Sequence, residues 1–256
     1  MKIAALYDIH GNLPALNAVL DDLSGVQPDL IIVGGDIVTG PMPAQTLDLL
    51  SQLGDRVRFI RGNNDREVVQ AYDGQPITRR YLPDISTRGR EEIQWVAGHL
   101  TRPQRDFLAA LPEQLVLHIE GLGNVLFCHA TPHSDEEIFT PRTPADRLST
   151  IFSGIDQQIV VCGHTHIQFE LRQGDLRILN AGSVGMPFAD RPGAYWLLLS
   201  SHGYEYRRTQ YNTEAAANEI RANGNPHARE FAEKNVLTTP SQAAMLEILE
   251  QWSQKK

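Results

Sequence analysis

The first sixty residues alternate short apolar runs with segments of helical periodicity, and this alternation restricts the possible fold more than any other feature. Apolar runs at 3–6, 30–33 and 57–60 are typical of short buried strands. Leucine and valine recur at helical spacing within 13–23 and 47–53. Strands separated by helices predict βαβ units, and therefore a mainly parallel sheet with right-handed crossovers. The chain is expected to belong to the α/β class.

Short apolar runs in the second half lie closer together, and close spacing favours antiparallel pairing. A hairpin is predicted between 114–120 and 125–128, across the turn Gly121-Leu122-Gly123-Asn124. Further strands are predicted at 159–162, 169–172, 176–180, 194–199 and 204–208. Both parallel and antiparallel pairs are therefore expected.

Helical segments are predicted between the strands and after them. Residues 66–112 have a helical but interrupted pattern, which indicates an insertion between strands. Thr213 is predicted to cap one late helix, and Ser241 to cap the last one. The last helix carries an apolar stripe of Met245, Leu246, Leu249 and Trp252. Such a stripe is expected to pack on the core of its own domain.

Composition excludes several classes of partner. The formal net charge is -8, from 23 Lys and Arg against 31 Asp and Glu, so a partner of duplex nucleic acid is not expected. There is no apolar stretch of membrane-spanning length, and the N terminus has no signal-peptide pattern, which predicts a cytoplasmic protein without a membrane partner. Cys128 and Cys162 are expected to be buried thiols. The sequence does not indicate an oligomeric state.

Polar side chains follow five of the predicted strands directly. They are Asp8 and His10; Asp36; Asn63, Asn64 and Asp65; His129; and His164 and His166. Each cluster alone is typical of a turn or of a satisfied buried histidine. The carboxyl ends of strands in an open α/β sheet meet at one ligand-binding rim, so the clusters are expected to converge. Together they offer imidazole and oxygen donors suited to Mn, Fe, Zn, Co or Ni.

The order of these residues resembles the calcineurin-like metallophosphoesterases. The pattern D-x-H, G-D, G-N-x-D, H, G-H-x-H spans 8 to 166, and the likeness continues through 129–132 and 180–187. It is similar to a small bacterial and archaeal branch of phosphodiesterases, serine/threonine phosphatases and diadenosine tetraphosphatase-like proteins. The resemblance implies a four-layer αββα sandwich of two mixed sheets flanked by helices, with a C-terminal helical extension.

The resemblance also implies a domain organisation. A metallophosphoesterase domain is expected at 1–212, with the helical insertion 66–112 beside the active site. C-terminal helices at 213–256 are expected to pack on the same domain.

Roles for the polar residues follow from the same resemblance. The implied ligands of one metal ion are Asp8, His10 and His166. The implied ligands of a second ion are Asn63, His129 and His164, with Asp36 bridging the pair. Two divalent or mixed-valence transition metal ions could then activate a bridging hydroxide and hold the phosphate oxygens for in-line displacement. Asp65 is expected to orient its neighbours.

Asn64 departs from the pattern of many family members, which carry histidine at this place as a proton donor. An amide cannot act as a general acid near neutral pH, so we expect activated phosphodiesters and phosphoanhydrides to be preferred. His133, four residues after His129, is an alternative proton donor. Asn63, Asn64 and Arg66 are expected to contact the substrate phosphate, although Arg66 equally suits a structural ion pair.

The expected function is hydrolysis of small phosphodiesters or phosphoanhydrides by a dinuclear metal centre, with a small phosphate ester or nucleotide as substrate. Diadenosine tetraphosphate hydrolysis and protein phosphatase activity are the enzymatic alternatives. The alternative from a different class is a metal-binding scaffold, because the retromer subunit with this fold serves mainly in protein assembly. A complete set of ligand-type residues favours the enzyme.

Overall fold

The computed structural model describes residues 1–254, and within them the predicted apolar runs form strands. In chain order these are β1 (Ile3–Leu6), β2 (Leu30–Val33), β3 (Val57–Phe59), β4 (Gln114–Ile119), β5 (Gly123–Cys128), β6 (Ile159–Cys162), β7 (Gln168–Gln173), β8 (Leu176–Ala181), β9 (Ala194–Ser200) and β10 (Gly203–Thr209). They are short, three to seven residues each.

The strands of residues 1–254 form two five-stranded mixed sheets. The first has the order β10-β9-β1-β2-β3, and its parallel centre is the predicted βαβ alternation. β9 returns antiparallel to β1, with Ile3 opposite Leu199. The second sheet has the order β4-β5-β6-β8-β7. The predicted hairpin forms its β4–β5 edge, and β5, β6 and β8 run parallel.

Helices lie between the strands and after the last one. They are α1 (Leu13–Val26), α2 (Pro43–Ser51), α3 (Asn63–Tyr72), α4 (Thr87–Gly98), α5 (Arg102–Ala109), α6 (Ala145–Ile151), α7 (Thr213–Arg221), α8 (Ala228–Phe231), which continues as a π-helical turn over Ala232–Leu237, and α9 (Gln242–Ser253). The predicted insertion 66–112 contains most of α3 together with α4 and α5. No helix within residues 1–254 combines the length and apolar character needed to cross a bilayer.

Helix capping follows local side-chain chemistry. The Asn12 carboxamide accepts a hydrogen bond from the Ala15 backbone N–H at 3.2 Å, and the Ser241 hydroxyl accepts one from Ala244 at 3.3 Å. The prediction that Thr213 caps α7 is wrong. Asn212 caps it instead, because its carboxamide oxygen reaches the Ala215 N–H at 3.0 Å.

Three apolar layers separate the four layers of secondary structure. The layer between the sheets contains Ile3, Tyr7, Phe127 and Val161. The outer face of the first sheet packs on α1 to α5, and the outer face of the second packs on α6 and α9. The predicted αββα sandwich is therefore confirmed. It brings the carboxyl ends of the parallel strands of both sheets to one side.

The C-terminal helices contact this sandwich in two places. Leu249 of α9 is buried against the outer face of the second sheet, and the other stripe residues pack around it. α7, α8 and the π-helical turn surround Met42 in a separate apolar cluster. The final residues of the predicted segment 213–256, 255 and 256, lie outside the described residues.

Candidate metal centre

The predicted ligands follow five strands and meet at one rim. Asp8 and His10 follow β1, Asp36 follows β2, and Asn63 follows β3. His129 follows β5, and His164 and His166 follow β6. Six of these seven side chains are buried, and His164 is half-buried. The two sheets thus bring together residues that are up to 158 positions apart in the sequence.

The backbone at these loops is held in an uncommon conformation. Among residues 1–254, six non-glycine residues have positive φ, and five of them are predicted ligands. These are Asp8, His10, Asp36, His164 and His166, with φ between 49° and 66°. Such a conformation costs about 1–3 kcal/mol per residue and persists only where surrounding contacts enforce it. Its concentration at one rim marks a functional site.

Close approach of two loops requires glycine at two positions. Gly35 has φ +92°, and a Cβ built on it would lie 2.5 Å from the Gly62 nitrogen and 2.7 Å from His129 Nδ1. A Cβ on Gly62 would lie 2.2 Å from Asp36 Oδ1. A side chain at Gly35 would therefore push the loop away from Gly62 and His129, and a side chain at Gly62 would displace Asp36.

Backbone carbonyls orient all four imidazoles. His10 Nδ1 donates to Thr39 O at 3.1 Å, His129 Nδ1 to Gly34 O at 2.8 Å, His166 Nδ1 to Met186 O at 2.8 Å, and His164 Nε2 to Glu136 O at 3.1 Å. Carbonyls only accept, so each contacting nitrogen carries the proton. The other nitrogen of each ring faces the cluster and is the atom that can offer a lone pair to a metal ion, as in metal-ligating histidines.

The free donor atoms form two groups that share Asp36. One consists of Asp8, His10, Asp36 and His166, and the other of Asp36, His129 and His164. Asp36 Oδ2 lies 3.7 Å from His10 Nε2, and Asp36 Oδ1 lies 3.4 Å from His129 Nε2. Asn63 Oδ1 lies 3.2 Å from His129 Nε2, which adds the amide to the second group.

Several of these atoms need a positive charge between them. His10 Nε2 and His166 Nε2 are 3.1 Å apart, although both rings already donate through Nδ1. Their two lone pairs repel unless a cation lies there. Asp8 Oδ1 is buried without a hydrogen-bond partner, 3.4 Å from His166 Nε2. An isolated buried carboxylate oxygen is costly, so this donor set fits a metal cation.

The buried charged groups of this cluster shift one another's pKa values. Burial alone would raise the pKa of Asp36, but His129, His10 and His164 lower it below the usual range. Burial lowers the pKa of His129, yet Asp36 and Asp8 outweigh it and raise that pKa to about 10. Burial and His129 lower the pKa of His164 to about 4. The carboxylates of Asp8 and Asp36 thus stay ionised and require a proton or a metal ion beside them.

Asp65 joins the loop after β2 to the loop after β3. Its carboxylate accepts hydrogen bonds from the backbone N–H of Ile37 at 2.9 Å and of Gly62 at 3.0 Å. Burial and the charge of Asp36 raise its pKa to about 7. Both loops carry predicted ligands, so these two hydrogen bonds place Asp65 between them.

We expect Asp65→Ala to lower the free energy of unfolding by about 2–6 kcal/mol, because two buried N–H groups lose their acceptor at about 1–3 kcal/mol each. Urea unfolding of the metal-free protein measures the loss. The matched control is Asp48→Ala on the exposed face of α2, which should stay within about 0.5 kcal/mol of the wild type. Equal stability of the two variants would contradict the role given to Asp65.

The predicted catalytic and substrate residues fall in different places. Asn64 lies at the cluster, where its backbone N–H donates to Asp36 Oδ1 at 2.9 Å and its amide donates to Asp36 Oδ2. His133 lies in a separate surface cavity, with Nε2 2.8 Å from Ser153 O. The guanidinium of Arg66 is paired with Asp135 and Glu136. His133 and Arg66 therefore do not face the metal-binding cluster.

An arginine outside the predicted site residues, Arg79, lines the cavity at the cluster. The cluster opens into a cavity of about 340 Å³, and Arg79 is the only lysine or arginine among residues 1–254 that lines it. Its guanidinium pairs with both oxygens of the buried Glu67, at 2.8 and 2.7 Å. Arg79 belongs to no motif, so only the folded loop between α3 and α4 reveals it.

A second cavity adjoins the first. It has a volume of about 510 Å³, and His10, Asn64, Arg79, Ser86 and Trp252 line both cavities. Of the predicted ligands, His10 lines both cavities, whereas Asp36, Asn63, His164 and His166 line the first alone. The metal-binding cluster therefore lies in the first cavity, with His10 at the border with the second.

Comparison with known proteins identifies the family. Residues 1–203 match the calcineurin-like phosphoesterase superfamily domain. The chain belongs to this superfamily. As predicted, this phosphoesterase is a metal-dependent phosphoric ester hydrolase.

Two relatives and one solved structure are similar to this chain over most of its length. An uncharacterized protein of Methanocaldococcus jannaschii is 29% identical over 88% of this chain and 93% of its own length. The phosphodiesterase YfcE of Escherichia coli is 25% identical over 77% of this chain and 87% of its own. A hypothetical protein of Pyrococcus horikoshii OT3 has the same fold, with a TM-score of 0.77 at 20% identity, over 94% of this chain and 98% of that one.

Proposed function

We propose that this protein is a dinuclear metal-dependent phosphoesterase that hydrolyses small phosphodiesters or phosphoanhydrides. The observation that carries the proposal is the position of Asp36, whose two carboxylate oxygens face two separate groups of donor atoms. One ion cannot be reached by all seven predicted ligands, whereas two ions joined by Asp36 can use them all. Mn, Fe, Zn, Ni and Co are the candidate ions.

The protein residues hold and orient this centre. Asp8, His10 and His166 would bind one ion, and Asn63, His129 and His164 the other. When bound, the ions would polarise the phosphoryl oxygens and activate the attacking nucleophile. The carbonyl-anchored imidazoles fix the direction of each lone pair before any ion arrives, which reduces the reorganisation needed on binding.

Arg79 supplies positive charge to the substrate cavity. Nε and Nη2 each donate to Glu67, and Nη1 donates to Pro83 O at 3.3 Å. A guanidinium has five N–H donors, so two remain for a phosphate. Glu67 fixes the orientation of the group, which favours binding of two phosphate oxygens. Arg79 therefore takes the substrate-binding role that the sequence suggested for Arg66.

Two features support a diester or anhydride substrate over an alkyl monoester. Asn64 faces both cavities, and its amide cannot protonate a leaving oxygen. Substrates with acidic leaving groups need no such proton donor. The relative YfcE, named as a phosphodiesterase, supports the same class of substrate. Diadenosine tetraphosphate, which is a phosphoanhydride, falls within it.

Reconstitution tests the number of ions. The metal-free protein, dialysed against excess Mn²⁺ and then desalted, should retain about two equivalents by elemental analysis. Asp36→Asn should reduce the content to one equivalent or less, since the amide offers a single acceptor oxygen. His118→Ala, an exposed histidine outside the cluster, is the matched control and should keep both ions. A firm content of one ion in the wild type would rule out the dinuclear centre.

The reaction class is tested with the Mn²⁺-loaded protein on a panel of diesters, monoesters and dinucleoside polyphosphates. Hydrolysis of aryl diesters or phosphoanhydrides with little turnover of alkyl monoesters is the expected result. Failure to hydrolyse any of them, with two ions bound, would favour the scaffold alternative.

A further inference from the structure

The C-terminal segment reaches the substrate cavities. The match to the superfamily domain ends at residue 203. Residues beyond that point nevertheless line one or both cavities at the metal-binding cluster. They are Asn225, His227, Phe231, Asn235, Leu249 and Trp252. This part of the cavity wall therefore comes from residues that follow the matched domain.

Helix α9 is tied to the loops that surround the site. Leu249 is 3% exposed and packs in the same apolar cluster as Ile138 and Phe139. The Thr140 hydroxyl donates to the Glu250 carboxylate on α9. Before the helix, the Ala189 backbone N–H donates to Pro240 O at 3.1 Å, and the Thr239 hydroxyl donates to Ala189 O at 2.7 Å. These contacts hold α9 in one position relative to the cluster.

Trp252 stands at the junction of the two cavities. It is half-buried and lines both of them together with His10, a predicted metal ligand, and Arg79. The wall of the first cavity beside it is apolar and includes Leu82, Ile138 and Phe188. A phosphate at the cluster would therefore have its charged oxygens near Arg79 and an organic substituent near the indole.

We infer that Trp252 is a specificity-determining residue that packs against an aromatic or other planar substituent of the scissile phosphate. The inference rests on the proposed function and names its substrate class more closely. The two cavities adjoin beside His10 and Trp252, so together they accommodate two substituents of a phosphate bound in the first, whereas a monoester would fill only one. An indole face adds stacking energy to the burial of a planar group. Diesters with at least one planar organic group are then the preferred substrates.

Two diesters with the same leaving group test the inference. Bis(p-nitrophenyl) phosphate and methyl p-nitrophenyl phosphate release the same p-nitrophenolate and differ only in the group that stays on phosphorus. The Mn²⁺-loaded wild type should prefer the first in kcat/KM, and Trp252→Ala should reduce that ratio about tenfold, mainly through KM. Trp252→Phe should restore most of the preference, because phenylalanine keeps an aromatic face.

The control variant is Trp95→Ala. Trp95 is also half-buried, but it stacks on His99 at 3.9 Å between ring centroids and lines neither cavity. It should leave the ratio of the two diesters unchanged. A ratio equally reduced in both variants, or unchanged in Trp252→Ala, overturns the inference while hydrolysis of both diesters still supports the proposed function. Hydrolysis of neither diester by the wild type counts against the proposed function itself.

Binding provides a readout that does not depend on turnover. Titration calorimetry of the Mn²⁺-loaded protein with phenylphosphonate and methylphosphonate should show tighter binding of the phenyl compound. Trp252→Phe should keep this difference, and Trp252→Ala should reduce it by about the same tenfold factor. Equal affinities of the wild type for the two phosphonates would contradict a role for Trp252 in contacting the substituent.

Discussion

Asp8→Ala and His164→Ala are each expected to reduce turnover by more than about 100-fold, the upper end of the loss seen for residues that only support metal ligands. Each belongs to a different donor group, so each variant should weaken a different ion. Asp8 also accepts a hydrogen bond from the His164 backbone N–H at 2.9 Å, so its loss loosens the loop after β6. kcat/KM on an aryl diester and the bound metal content measure the effect.

The fold should survive both substitutions. Neither side chain belongs to the three apolar layers, which contain the strand interiors and helix faces. Far-ultraviolet circular dichroism should therefore match the wild type. His118→Ala serves as the control, because the imidazole is exposed on β4 and outside the donor groups. Near-wild-type turnover in both cluster variants would show that the ligand assignment is wrong.

The local sequence pattern predicts strand positions well and strand partners poorly. The predicted bounds of 3–6, 30–33 and 159–162 coincide with those of β1, β2 and β6. The antiparallel pairing of β1 with β9, by contrast, joins residues about two hundred positions apart. No local periodicity encodes that contact. Only the resemblance to a known family suggested two mixed sheets in place of one mainly parallel sheet.

The candidate site divides in the same way. The positions of the donor residues could be predicted because they follow strand ends, and strand ends meet at one rim. Which ring nitrogen each histidine offers to a metal could not be predicted, because it depends on carbonyls of distant residues such as Thr39 and Met186. Whether Arg66 or Arg79 faces the cavity also depends on tertiary contacts. Arg66 forms ion pairs with Asp135 and Glu136, whereas Arg79 forms an ion pair with Glu67 and lines the cavity.

Asn64→His is expected to raise the hydrolysis of substrates with poor leaving groups by about 10²-fold, the lower end of what general acid catalysis contributes. Asn64 lines both cavities and lies within hydrogen-bond distance of Asp36, so an imidazole there would face the leaving oxygen. Rates for a series of aryl methyl phosphates of rising leaving-group pKa measure the effect. The dependence of the rate on the leaving-group pKa should become shallower, and the rate for the p-nitrophenyl ester should change little.

Two controls separate proton donation from a change of shape. Asn64→Gln enlarges the side chain without adding an acid, so it should keep the steep dependence on leaving-group pKa. His133→Ala should also keep it, because His133 bonds to Ser153 O in a separate cavity. A shallower dependence in Asn64→Gln would mean that shape and not acidity limits the rate. If Asn64→His left the slope unchanged, the leaving oxygen would take its proton from another source, and Asn64 would not determine the class of substrate.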